Sequence, residues 1–191
     1  MYEGPWRSLP GTRLVDWPDH ADETTLGDLA GRMIDELGIG ELDLPIGSSL
    51  GGMVALEIAA RVGSPDVVLI GSALDRDEIC GFLRAAAPIA SITPIRLLQV
   101  LGASAGGDLG KQFAQVDAAF IRAMCRAVER WEAPTFEGRV WRIHGERDRV
   151  IPCPAEDVDA VIAGAGHLVA MSHAEECVAA LRRFLESRTL D

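Results

Sequence analysis

The apolar positions of this chain follow two rhythms, and the order in which they alternate predicts its architecture. Leu26, Leu29, Ala30, Met33, Ile34 and Leu37 recur at helical spacing and predict an amphipathic helix ended by Gly38. Just before them, Thr25-x-x-Asp28 has the form of a capping box, with Asp in the usual Glu position. Asp66–Ile70 (DVVLI) is short, apolar and β-branched, which predicts a strand buried on both faces, as in parallel sheets. Further strand patterns lie at 12–17 (TRLVDW), 42–46, 138–143 and 158–163. Pro45 sits awkwardly in the second of these, because proline removes a ladder donor. Helical patterns cover 51–61, apolar nearly all round, and 174–187, with Val178, Leu181, Phe184 and Leu185 inward. Residues 1–11 hold two prolines and two glycines and read as a loop with one helical turn around Trp6.

Residues 74–132 contain no good strand. They offer helical patterns near 75–87, 94–102 and 111–131, the last with Phe113, Val116, Phe120, Met124 and Val128 on one side. The glycine-rich stretch 102–110 is the loosest part. The sequence therefore predicts an α/β three-layer sandwich, a mostly parallel sheet of about five strands with helices on both faces and a helical insertion.

Composition narrows this picture. A chain of 191 residues with 48% hydrophobic and 25% charged residues predicts one domain, 1–191, with one well-buried core. A net charge of −11 argues against binding nucleic acid or anionic membrane by general electrostatics. Cys80, Cys125, Cys153 and Cys177 are far apart and form no CxxC pair, so neither a structural zinc nor a disulfide framework is expected. Nothing calls for a cofactor. No basic start with an apolar run and no long apolar stretch is present, which predicts no signal peptide, no membrane span and a cytoplasmic protein.

Candidate chemistry centres on Pro45-Ile46-Gly47-Ser48-Ser49-Leu50-Gly51-Gly52-Met53. Gly47, Ser49 and Gly51 make Gly-x-Ser-x-Gly between a predicted strand and a predicted helix, the context of a nucleophile elbow. There the serine occupies strained backbone with its hydroxyl above the sheet. Glycine is expected at both flanking positions, where a side chain would strike the turn. The helix N-terminus beyond the serine offers a positive dipole end and free N–H groups to a developing oxyanion.

A serine hydroxyl needs a base within hydrogen-bond reach, and the base needs a carboxylate to fix its tautomer. On a parallel sheet all three belong in loops leaving the C-terminal ends of strands. Ser49, Asp148 and His167 each follow a predicted strand, in the chain order Ser, Asp, His. Glu146 is the competing acid, and Asp75 or Asp77, after the earlier strand, is an outlying one. His20 lies in a polar loop and His173 near a helix start, where surface or capping roles are expected. Ser48 reads as a structural neighbour of the nucleophile, and Trp131 and Trp141 read as packing residues.

From about Thr12 onward the sequence resembles the α/β-hydrolase superfamily, through PIGSSLGGMVALEIA, IHGERDRVIP and GAGHLVAMSHAEE. The resemblance implies Ser49 as nucleophile, His167 as general base and then acid, and Asp148 as the orienting carboxylate. It also implies that the residue after the nucleophile, Leu50, donates an oxyanion N–H, and that 74–132 occupies the place of a substrate-shaping lid. His144 belongs to the strand-end His-Gly of the family and shapes the turn. The implied activity is acyl transfer to water from a small-molecule carboxylic ester or thioester, through an acyl-serine. A C–C hydrolase or perhydrolase shares the same triad, and a non-catalytic binding module of the same fold is the rival from another class.

The family places one more strand between 12–17 and the elbow strand, ending in the loop that gives the second oxyanion donor. No strand pattern precedes Thr12, and residues 1–5, including Gly4, are the nearest glycine-bearing loop. Three resolutions are open. The segment 12–17 moves beside the elbow strand, a second subunit fills the lane in a homodimer, or the chain continues upstream.

Overall fold

The computed structural model describes residues 4–79 and 118–188. Its sheet has four strands in the order β1-β2-β3-β4 among the described residues. They are β1 (Ile46–Ser48), β2 (Asp66–Ile70), β3 (Arg139–Gly145) and β4 (Ala160–Ile162). All three pairings are parallel, with Ser48 opposite Ile70, Ile70 opposite Ile143 and Gly145 opposite Ile162. Every strand therefore ends at the same edge, and the loops that leave it are brought together there.

The helices are α1 (Leu26–Leu37), α2 (Leu50–Val62), α3 (Ala118–Glu129), α4 (Val169–Ser172) and α5 (Ala174–Arg188). One face of the sheet carries α1, α2 and α3. The other carries α4, α5 and a 3-10 turn at Gly4–Ser8, whose buried Trp6 donates from Nε1 to Ala170 O at 2.8 Å. The two-residue period of β2 divides its side chains between these cores. Val67 and Leu69 join the α1–α2–α3 side, while Val68 and Ile70 join the α5 side, each at most 1% exposed. Full burial of such a side chain is worth about 1.5–3 kcal/mol, which makes β2 the spine of the domain. The strand is apolar on both faces because helices cover both.

Local signals set the ends of α1 as the sequence predicts, whereas the strand expected at 42–46 is corrected to Ile46–Ser48, with Leu42 exposed before it. Thr25 Oγ1 accepts the Asp28 N–H at 3.0 Å, the Asp28 carboxylate accepts the Thr25 N–H at 3.0 Å, and Gly38 closes α1 in the left-handed region. Pro45 lies just outside β1 and still contributes its carbonyl, which accepts the Val68 N–H at 3.0 Å. The ring thus costs the ladder nothing there.

The segment 12–17 is a correction. It forms no strand and does not enter the lane beside β1, which is the edge of the sheet among the described residues. Thr12 to Asp16 are exposed and only Trp17 is half-buried, so the alternation of the segment buries no face and no ladder forms. Leu14 and Val15 stay 37% and 38% exposed, while Trp17 packs on Phe120 of α3 with ring centroids 5.5 Å apart. Arg13 donates to the Leu37 carbonyl at 2.8 Å, and buried Glu23 pairs with Arg32 and His20, so side chains anchor this stretch to α1.

The insertion predicted at 74–132 is described only at its two ends. Residues 76–78 form a 3-10 turn, and α3 buries Phe120, Met124 and Ala127, with Trp131 following it. The helical patterns near 75–87 and 94–102, Phe113, Val116, Cys80 and the glycine-rich stretch fall wholly or mostly outside the described residues. No helix among the described residues is long and apolar enough to cross a membrane.

Candidate active site

Ser49 occupies the junction between β1 and α2 with φ 53° and ψ −124°, a backbone conformation that costs a non-glycine residue roughly 1–3 kcal/mol. Several contacts hold it there. Its N–H donates to the Ile70 carbonyl at 3.0 Å, which ties the turn to β2. Its carbonyl accepts the Gly52 N–H at 2.9 Å and the Ser72 hydroxyl at 2.6 Å. The side chain makes no cap to its own helix. Instead Ser49 Oγ lies 2.8 Å from His167 Nε2.

The flanking glycines are not equivalent, and here the expectation for Gly51 is corrected. A Cβ on Gly47 would stand 1.9 Å from the Gly51 carbonyl oxygen, so the turn closes only over a glycine. A Cβ on Gly51 would meet nothing nearer than the Trp17 ring at 3.8 Å, an ordinary contact. The second sterically required glycine is Gly52, where a Cβ would fall 2.4 Å from Ser72 Oγ. Gly52 and Ser72 escaped the sequence reading because their demand is made across the sheet, between α2 and the loop after β2.

His167 and Asp148 are both buried, at 4% and 6% exposure. His167 Nδ1 donates to Asp148 Oδ2 at 2.9 Å, leaving Nε2 to accept the Ser49 hydroxyl, a tautomer assigned from this network. The other carboxylate oxygen of Asp148 accepts the N–H groups of Val150 at 2.9 Å and Ile151 at 3.0 Å. Burial alone would raise the Asp148 pKa. The neighbouring imidazoles of His144 and His167 and the Ile151 N–H outweigh it and hold the carboxyl well below the usual carboxylate range. His144 Nε2 is 2.7 Å from the Ile151 carbonyl and 3.5 Å from Asp148 Oδ2, so its proton belongs to the carbonyl and reaches the carboxylate only as a longer-range attraction. His144 Nδ1 has no partner among the described residues.

Leu50 begins α2, and its N–H has no intramolecular partner among the described residues. The competing residues are engaged elsewhere. Glu146 accepts the Gly164 N–H at 2.7 Å and braces two loops, and Asp75 caps the 3-10 turn by accepting the Asp77 N–H at 2.7 Å. His20 lies 3.0 Å from Glu23, and His173 Nδ1 lies 2.9 Å from Ser172 Oγ. Trp131 donates to Glu57 at 2.8 Å, and Trp141 packs on Phe184 with centroids 3.8 Å apart.

Cysteine chemistry is disfavoured at the described thiols. Burial pushes Cys177 up to about 12, with Glu176 adding to the effect, and burial also raises Cys125 and Cys153. Among the described residues no three His, Cys, Asp or Glu side chains converge as a metal site. A cavity of about 290 Å³ opens between the sheet and α5, lined by Trp141, Asp159 and Phe184 among others, and it shares no lining residue with the Ser49 cluster.

A model of the alpha/beta hydrolase family matches residues 5–180. No curated protein sequence matches the chain. Among solved structures, an esterase from Thermogutta terrifontis is similar with a TM-score of 0.59 and 18% identity, over 85% of this chain and 72% of that one. A thermophilic esterase is similar with a TM-score of 0.65 and 21% identity, over 88% and 76%. The enol-lactonase from Burkholderia xenovorans LB400 gives 0.60 and 18%, over 85% and 73%. At these identities the likeness is one of fold.

Proposed function

The chain belongs to the alpha/beta hydrolase family, and on that premise we propose that it cleaves a carboxylic ester or thioester through an acyl-serine intermediate at Ser49. The observation that carries this reading is the continuous hydrogen-bonded line from Ser49 Oγ through His167 to Asp148, 2.8 Å and 2.9 Å long. Each atom in that line has the chemistry the reaction needs.

Ser49 Oγ attacks the substrate carbonyl carbon while its proton passes to His167 Nε2. The Asp148 carboxylate, already fixed by two backbone N–H groups, stabilises the imidazolium that forms and keeps its Nδ1 proton in place. The carbonyl oxygen becomes an oxyanion at the α2 N-terminus, where the Leu50 N–H donates to it. Collapse of the tetrahedral intermediate breaks the bond to the alcohol or thiol, which leaves with the proton from Nε2. Water then repeats the attack on the acyl-serine, giving up a proton to Nε2, and Ser49 leaves with that proton. The products are the carboxylic acid and the alcohol or thiol.

The test uses a short-chain aryl ester and a fluorophosphonate probe on the folded chain. The wild type should turn over the ester and be labelled at Ser49, and Ser49→Ala should do neither. Absence of labelling on folded wild-type protein overturns the reading.

A further inference from the structure

We infer that Ser72, a residue outside the Ser49–His167–Asp148 line, is a positioning residue that aims the oxyanion donor. The inference rests on the proposed acyl transfer at Ser49 and adds to it a requirement on the loop after β2.

The argument begins with the peptide bond between Ser49 and Leu50. A trans peptide is planar, so its C=O and N–H point in opposite directions. Whatever fixes the Ser49 carbonyl therefore fixes the direction of the Leu50 N–H. In α2 that carbonyl receives the Gly52 N–H at 2.9 Å and the Met53 N–H at a looser 3.4 Å. The Ser72 hydroxyl is the nearest of its donors, at 2.6 Å. Among the described residues it alone comes from outside the helix, and so it ties the orientation of this peptide to the sheet.

Ser72 is built for that task. It is 1% exposed, so its hydroxyl has no water to exchange with and the bond is not diluted by solvent. It packs so closely on α2 that a Cβ at Gly52 would fall 2.5 Å from its own Cβ. Its backbone is held from below as well. Buried Arg142 donates to the Ser72 carbonyl at 3.2 Å and is itself paired with Glu78 at 2.6 Å. A side chain locked at both ends, bearing on a strained residue, is how a donor is kept aimed before charge develops.

The consequence is a division of labour. His167 governs proton transfer from Ser49, and Ser72 governs where the Leu50 N–H points when the oxyanion forms. An interaction used only in the transition state acts on kcat and leaves KM unchanged. Complete removal of an oxyanion donor costs roughly 10²–10³-fold in kcat, and loosening its aim is expected to cost about tenfold.

The experiment compares wild type with Ser72→Ala and with Ser72→Cys, a near-isosteric weaker donor, on the short-chain aryl ester and on an aryl boronic acid. The boronate forms a tetrahedral adduct on Ser49 with an oxygen where the oxyanion would lie. Ser72→Ala should lower kcat about tenfold, weaken the boronate by a similar factor and leave KM within twofold. Ser72→Cys should fall between the two. If Ser72→Ala keeps wild-type kcat and boronate affinity, the inference is overturned while the hydrolase reading stands. Equal losses in kcat and in the folded fraction, with boronate affinity of the folded protein unchanged, assign Ser72 a purely structural role and also overturn it. A folded wild type that fluorophosphonate does not label at Ser49 overturns both.

Discussion

Asp148 Oδ2 stands 2.9 Å from His167 Nδ1, while Asp148 Oδ1 is taken up by the N–H groups of Val150 and Ile151. The carboxylate is thus divided into an oxygen that fixes the turn and an oxygen that serves the imidazole. Asp148→Asn separates the two duties. The amide oxygen still accepts from the turn, but the amide nitrogen then faces His167 and drives its proton to Nε2. That tautomer has no lone pair for the Ser49 hydroxyl. The expected outcome is a folded protein with kcat lowered by about 10⁴-fold, measured on the aryl ester together with a thermal melt.

The same residue makes a pH-dependent contribution to stability. Its folded-state pKa is depressed below the ordinary value of 3.8 by its partners, which outweigh its burial. A depressed carboxyl stabilises the fold above the unfolded-state pKa and loses that contribution as pH falls through the folded one. The stability gap between wild type and Asp148→Asn should therefore be constant above about pH 5 and shrink progressively below pH 4. Asp28 and Glu23 are depressed too, so the difference between the two proteins isolates the term. Urea titrations from pH 7 down to pH 3 measure it, and a gap that widens in acid contradicts the assignment.

Thr25 tests a purely local device. Its hydroxyl and the Asp28 carboxylate exchange bonds at the exposed start of α1, far from the chemistry in sequence. Thr25→Ala should cost about 1 kcal/mol in urea-derived stability, with kcat unchanged.

What could be read from the sequence follows the range of the interactions involved. The capping box, the β2 spine and the turn between β1 and α2 were legible because each is written in a few consecutive residues. The strand expected at 12–17 was not, because a strand-like residue pattern does not say whether a neighbour exists to pair with it. Ser72 was missed for a related reason. Nothing near it in sequence distinguishes a serine that ends a strand loop from one whose hydroxyl reaches across to the Ser49 carbonyl. Glu146 and Asp148 were rivals on paper. The sequence favours Asp148, and in three dimensions Glu146 braces the Gly164 loop while Asp148 meets His167.

The elbow glycines give the sharpest contrast between motif and physics. The pattern Gly-x-Ser-x-Gly treats Gly47 and Gly51 alike, but only Gly47 faces backbone at an impossible distance, 1.9 Å from the Gly51 oxygen. That obstacle cannot rotate away, so Gly47→Ala must displace the turn that carries Ser49. It should abolish turnover and lower stability by several kcal/mol, beyond the range of roughly 0.5–3 kcal/mol common for substitutions. Gly51 lies in the first turn of α2 with helical backbone, and an added methyl would rest against Trp17 at 3.8 Å. Alanine is preferred to glycine within a helix by up to about 1 kcal/mol. Gly51→Ala should therefore keep the fold at wild-type stability or slightly above, with Ser49 still labelled by fluorophosphonate. Thermal melts and probe labelling of the two variants side by side decide the matter. Equal damage from both would mean that the turn needs its second glycine for a reason other than space.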